Sequence, residues 1–211
     1  MIDFEPTEEQ ALIVETVHQF AENEIRPIAR ESDESASLSQ TALNGAHELG
    51  LVANGIPEEY GGGGEPSAML GCLIAEELAW GDLSSALGIL SPSLLATPVA
   101  RLGTEEQRER ILPTLTGPQF VPGALAAVEP RFDSDVHRPQ TTAKSEGNGF
   151  RIEGIKCQVP WLEGGNEVLV FAESEGSTQG FLVPRDADGL TAELEKNLGT
   201  HALPMAELTF S

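Results

Sequence analysis

Histidine, cysteine and glycine are the residues of this 211-residue chain most able to carry chemistry at short range, and their spacing limits what they can do. His18, His47, His137 and His201 are scattered without the paired spacing of metal ligands, so they read as solvated or core side chains and no metal site is expected. Cys72 and Cys157 lie far apart and match neither a ligand pair nor a redox pair. Both are expected to be reduced thiols in the core, which points to a reducing, cytoplasmic setting. The run Gly61-Gly62-Gly63-Gly64 lacks the Gly-Lys-Ser/Thr of a phosphate loop, and no Gly-x-Gly-x-x-Gly stands between a strand and a helix. No Gly-x-Ser-x-Gly elbow occurs either, so generic motifs name no catalytic residue.

The elements that would position any site fall into two kinds. Thr7-Glu8-Glu9-Gln10 and Thr104-Glu105-Glu106-Gln107 have capping-box spacing, in which a threonine hydroxyl and a glutamine side chain satisfy each other's backbone N–H groups. The first should open a helix with Ile13, Val17, Phe20 and Ala21 on one face, ended or kinked at Pro27; the second should open a helix closed by Pro113. Between them the pattern predicts a serine-rich, acidic joint over Ser32 to Ser39 and a helix over Thr41 to Leu49 with Gly50 as its left-handed cap. A glycine loop, Pro57 to Gly64, precedes a helix from Pro66 to Trp80 buried on several sides. A helical stretch over Ser84 to Leu102, broken around Ser91-Pro92 and Pro98, completes the helical part. After Gly117-Pro118 the runs become short and β-compatible: Phe120 to Ala127, Thr141 to Ser145, Gly149 to Glu153, Glu167 to Ala172, Gly180 to Pro184 and Glu207 to Phe210.

Composition narrows the class further. Apolar residues at 40 %, together with 22 glycines, make a globular chain long enough for one large or two small domains. The charge of −22, from 12 basic against 34 acidic side chains, opposes long-range attraction to phosphate backbones, so nucleic acid is excluded as a partner and any anionic ligand must be held by local groups. Met1-Ile2-Asp3-Phe4 carries an acid where a signal sequence has a basic n-region, and no later stretch approaches the roughly 18 apolar residues of a membrane helix. The chain is therefore expected to be neither exported nor membrane-spanning.

A set of local patterns then occurs in a telling order. It comprises Glu48-Leu49-Gly50-Leu51, Ile56-Pro57-Glu58-Glu59-Tyr60-Gly61-Gly62, Glu76-Glu77-Leu78-Ala79, and Gly103-Thr104-Glu105-Glu106-Gln107 leading to Leu112-Pro113-Thr114-Leu115-Thr116-Gly117. Glu129-Pro130 with Ser134-Asp135, Gly149-Phe150-Arg151-Ile152-Glu153-Gly154-Ile155-Lys156 and Lys196-Asn197-Leu198-Gly199 follow. Together they resemble the acyl-CoA dehydrogenase family. The resemblance implies an α+β chain: an N-terminal all-α domain over residues 1–117, then a β-barrel-like or sandwich-like middle domain over residues 118–211. It also implies a C-terminal four-helix domain that carries most dimer contacts and the carboxylate base. The sequence stops at Leu208-Thr209-Phe210-Ser211, within an apparent strand and without that domain, as expected of a truncated sequence or of a chain that depends on others. FAD as cofactor, an acyl-CoA substrate, an electron-transfer acceptor and a homo- or hetero-oligomer with a similar subunit are implied in the same way.

By resemblance, the cofactor-binding residues are Ala127, Val128 and Ser134, with Ser134 also placed against the substrate. Glu129 is read as a loop-fixing residue, Arg131 and Arg138 as the nearby cations that could face CoA phosphates, and Trp161 as a packing aromatic. The family segment Tyr-x-x-Thr-Glu-Pro-Gly-x-Gly-Ser-Asp is here Leu125-Ala126-Ala127-Val128-Glu129-Pro130-Arg131-Phe132-Asp133-Ser134-Asp135, so Val128 brings no hydroxyl and bulky residues replace small ones. The family's Trp-Ile-Thr is Gln158-Val159-Pro160, and Pro160 has neither hydroxyl nor N–H. No carboxylate matches the family's base, so no catalytic residue is named. Two readings follow: part of an FAD-dependent acyl-CoA dehydrogenase, with the flavin held here or shared with a partner subunit, or a non-catalytic subunit supporting a competent dehydrogenase.

Overall fold

The computed structural model describes residues 6–53, 55–64, 67–147 and 149–211; Met1-Ile2-Asp3-Phe4 and Pro66, which entered the expectations above, lie outside them. Both capping boxes form. Thr7 accepts the Gln10 N–H while the Gln10 side chain accepts the Thr7 N–H, and α1 (Glu8–Phe20) begins there. Thr104 and Gln107 do the same at α7 (Glu105–Leu115). Each box satisfies two otherwise orphaned donors, so Thr104→Ala is expected to cost about 1 kcal/mol, seen as a lower urea midpoint with unchanged slope.

Of the two outcomes expected at Pro27, an end or a kink, the helical path shows a disruption without a stop. The backbone widens into a π turn (Ala21–Ile25), tightens into a 3-10 turn (Arg26–Ile28) and continues as α2 (Ala29–Ser35), so the missing proline N–H falls where the bonding pattern changes. The expected Ser32–Ser39 joint therefore shrinks, because α2 runs to Ser35 and ends on Ala36 in the left-handed region. Ser39 caps α3 (Gln40–Glu48), and Gly50 takes a φ of +73°. The glycine loop is irregular apart from a 3-10 turn, Glu58–Tyr60.

Two further expectations about the helical part need correction. In α4 (Ala68–Gly81) only Ile74, Leu78 and Gly81 are buried, whereas Cys72 is exposed, so the helix has an open face and Cys72 is not a core thiol. Cys157 is half-buried. Pro113 does not close α7, which continues to Leu115 and buries Leu112 and Leu115. Residues 83–102 fold as α5 (Leu83–Leu90) and α6 (Ser93–Leu102), with the break at Ser91-Pro92 and Pro98 accommodated inside α6. This 20-residue stretch has a mean hydropathy of 1.4, long and apolar enough to cross a membrane by composition, yet 56 % of it is buried inside the protein as core helices are. Val17, Ala21 and Ile25 pack with Ile74, Leu78 and Ile89 in the helical core.

The chain divides into two compact units: residues up to Val121 with Gly199–Leu203, and Pro122–Leu198 with Pro204–Ser211. The second is a seven-stranded mixed sheet built from β1 (Leu125–Ala126), β2 (Thr142–Glu146), β3 (Gly149–Pro160), β4 (Glu167–Ser174), β5 (Ser177–Pro184), β6 (Leu190–Leu194) and β7 (Met205–Phe210). Strand order is β1-β4-β2-β3-β7-β6, with β5 added to β4. β3 is the pivot: its first half pairs antiparallel with β2 and its second half with β7, with a register shift between Lys156 and Val159. Val168 and Val170 of β4 share one core with Ala206 and Leu208 of β7, so the two halves of the sheet meet across their inner faces, the barrel-like or sandwich-like arrangement expected. β6 was not foreseen, and β1 is only two residues long where a run from Phe120 was expected.

Candidate functional site: the loop after β1

β1 ends at Ala126, and the chain then makes a long loop before β2. Ala127, Val128 and Ser134, the three residues read as cofactor contacts, all lie on it. The loop is organised by Glu129, whose carboxylate is 5 % exposed. Its Oε1 accepts the Thr141 N–H at 2.8 Å, the Thr141 hydroxyl at 2.8 Å, the Gln140 N–H at 2.9 Å and Lys156 Nζ at 3.1 Å. Burial alone would push this acid upward, but the N–H groups of Gln140 and Thr141, the Thr141 hydroxyl and the Lys156 ammonium outweigh it and hold the carboxyl at about 2, so it is ionised at neutral pH.

Lys156, on β3, is fully buried; burial lowers its pKa from the usual lysine range, and Glu129 pulls the other way. Its Nζ also reaches the Ala127 carbonyl at 3.4 Å, and the adjacent Cys157 N–H donates to the Val128 carbonyl at 2.9 Å. Burial likewise raises the Cys157 thiol, helped by Glu195 and Glu207, which leaves it a poor nucleophile at neutral pH. Close approach of β3 to Thr141 depends on Gly154, which has a φ of +150°; a Cβ there would lie 2.6 Å from Thr141 Oγ1 and 2.8 Å from its Cα.

Sequence reading singled out Glu129 as a loop-fixing residue but missed its partners Gln140, Thr141 and Lys156, and the role of Gly154 beside Thr141. No local signal marked Lys156: in Gly149 to Lys156 the apolar Phe150 and Ile155 are exposed and the lysine is the buried residue, the reverse of what residue type suggests.

Ser134 Oγ accepts the Glu129 N–H at 3.0 Å, which closes the tip of the loop on itself. Arg131 Nε lies 3.7 Å from Glu129 and 3.3 Å from Asp133, while Arg138 Nε bonds Asp135 at 3.1 Å, so both arginines are engaged within the loop. Val128 and Phe132 stand exposed. Pro160, at the far end of β3, pairs in register with Met205. Trp161 packs, as expected: the Arg185 guanidinium lies 3.5 Å from the ring centroid, and Arg185 Nη1 donates to the Leu162 carbonyl at 2.6 Å.

Residues 7–117, over half the chain, match the family model described as acyl-CoA dehydrogenase, N-terminal domain. The chain belongs to the acyl-CoA dehydrogenase family. A probable mitochondrial medium-chain specific acyl-CoA dehydrogenase 2 of Caenorhabditis briggsae is 31 % identical over 99 % of this chain and 53 % of its own length. Among solved structures, butyryl-CoA dehydrogenase from Megasphaera elsdenii superposes with a TM-score of 0.84 at 27 % identity, covering 100 % of this chain and 57 % of that one. A glutaryl-CoA dehydrogenase from Mycobacterium smegmatis in complex with FADH2 gives 0.85 at 27 % identity, over 98 % of this chain and 53 % of that one. The chain thus spans about half the length of the curated relatives it matches.

Membership in the acyl-CoA dehydrogenase family brings a flavin into question, and the residues present can be tested against it. A flavin pyrimidine edge needs hydrogen-bond partners, and here Val128 offers a hydrocarbon, Pro160 offers no N–H, and Arg131-Phe132-Asp133 replace short residues that would let backbone approach a ring. The side chains of this loop do not fit the edge of a flavin, although the backbone that carries them is firmly held.

Proposed function

We propose that this chain takes part in FAD-dependent α,β-dehydrogenation of an acyl-CoA thioester as one piece of a larger chain or heteromeric complex. Base and full cofactor grip come from outside these 211 residues. One observation carries this reading: in a chain whose residues 7–117 match the acyl-CoA dehydrogenase N-terminal domain, the Ala127–Asp135 loop keeps a firm backbone, held by a buried carboxylate with several donors. The carboxylate that would remove the α-proton has no counterpart in the loop, since Glu129 is ionised but surrounded by donors and sealed from any substrate. An electron-transferring acceptor, a second dehydrogenase-like subunit and a cytoplasmic location complete the proposal.

The exposed Val128 and the N–H-lacking Pro160 also favour a second reading, a non-catalytic subunit that supports a competent dehydrogenase. A visible absorption spectrum separates the two. A flavin band from the purified chain alone removes the second reading, and a chain that stays colourless with added FAD, and also beside a partner dehydrogenase that binds its own flavin, removes the first. Val128→Thr with Pro160→Thr is expected to raise FAD affinity about tenfold, the effect of roughly one net hydrogen bond, measured by titrating FAD fluorescence. Unchanged affinity would refute the account of why the site is weak.

A further inference from the structure

We infer that Glu129 and Lys156 act as one positioning device, a buried ion pair that fixes segment 127–135 against segment 156–160 and so sets the geometry of the face both segments present. Calling that face ligand-facing rests on the function proposed above. The pair itself stands on its contacts.

One carboxylate gathers donors from two places far apart in sequence. Gln140 and Thr141 stand at the end of the loop, 11 and 12 residues from Glu129, and Lys156 stands on β3, 27 residues away. The Glu129 N–H reaches forward to Ser134 Oγ, closing the tip of the loop, and the Arg131 N–H reaches back to the Glu129 carbonyl at 2.7 Å. On the other side, Lys156 Nζ and the Cys157 N–H hold the carbonyls of Ala127 and Val128 in succession. Immediately beyond, Gln158 takes a φ of +54° at the register shift in β3, and its N–H is held by Glu195 Oε1 at 3.1 Å. The loop that carries Val128 and Ser134 and the bulge that carries Gln158 and Pro160 are thus referred to one point.

Neutralising a lysine would need only a single carboxylate contact. A buried ion pair is moreover often no more stabilising than apolar residues of the same size, so the geometry it imposes is the property that distinguishes it from them.

The test is site-resolved amide exchange on the 211-residue chain without added flavin. Lys156→Met alone leaves a buried anion and risks unfolding, so the decisive variant is Lys156→Met with Glu129→Gln. It leaves no unpaired charge and keeps an acceptor for Gln140 and Thr141. The N–H groups of residue 129 and of Cys157 are expected to exchange at least about tenfold faster in this variant, while those of Leu169, bonded to the Ala124 carbonyl, and Trp161, bonded to the Pro204 carbonyl, stay as they are. Unchanged exchange at residues 129 and 157, or one uniform rise that includes Leu169 and Trp161, overturns the proposal, because a pair that only adds stability moves all protected amides together.

A second arm separates this inference from the flavin reading. The FAD affinity gained by Val128→Thr/Pro160→Thr should be lost when the Glu129–Lys156 pair is replaced as well. A gain that survives that replacement counts against the positioning role. No gain in the first place sinks the flavin reading, and the exchange result then decides the positioning role by itself.

Discussion

Replacing Lys156 by methionine is expected to lower the unfolding free energy by about 3–5 kcal/mol, because it strips the counter-charge from a buried carboxylate. The lysine is fully buried and its Nζ lies 3.1 Å from Glu129 Oε1, so methionine, of similar length, fills the space without replacing the charge. Glu129 would keep the two N–H donors and the Thr141 hydroxyl, and Arg131 Nε at 3.7 Å is too distant to serve as a full substitute. A loss of that size is a large fraction of the roughly 5–15 kcal/mol that holds a domain together. Adding Glu129→Gln to the same chain should recover most of it, since no unpaired charge remains and the amide oxygen still faces Gln140 and Thr141. Urea titrations of the wild type and both variants measure this, and a cost below about 1 kcal/mol for Lys156→Met would mean that Arg131 already neutralises the carboxylate.

The parts of this architecture written in short-range signals were legible in sequence, and those written in long-range contacts were not. Thr7 with Gln10 and Thr104 with Gln107 announce helix starts because each cap is closed within three residues. The prolines were legible unequally: Pro27 does mark a change of bonding pattern, from a π turn to a 3-10 turn, whereas Pro113 lies inside the last turn of α7, which continues to Leu115 despite the missing N–H. β6 escaped notice because Thr191-Ala192-Glu193 has weak strand preference and the segment is held by pairing with β7. Only Gly149 to Glu153 of β3 was expected, because Gly154 and the shift after Lys156 interrupt the pattern, yet those interruptions let one strand serve both halves of the sheet. At the site, the resemblance placed Ala127, Val128, Glu129 and Ser134 on one loop. That Lys156 would meet Glu129 depended on strand register, which no local pattern encodes.

Acid should cost the fold about 3 kcal/mol through Glu129 alone, and that loss has a defined window. The carboxyl titrates at about 2 in the folded chain against an ordinary value of 4.5, so the folded state holds it ionised more strongly than the unfolded chain does. A depressed acid contributes its full stabilisation above the unfolded value and loses it as pH falls; here the loss begins near 4.5 and is complete below about 2. The other acidic groups of this −22 chain complicate the raw curve, because protonating them relieves mutual repulsion over the same range and stabilises the compact state. The informative quantity is therefore the difference between the wild type and Glu129→Gln/Lys156→Met, which share every other charge. Thermal or urea midpoints taken at intervals from pH 6 to pH 2 should show the wild type falling relative to this double variant as the pH drops, so that the small difference near neutrality turns against the wild type toward the acid end. Parallel curves would show that the carboxylate is not held by Gln140, Thr141 and Lys156 as the geometry requires.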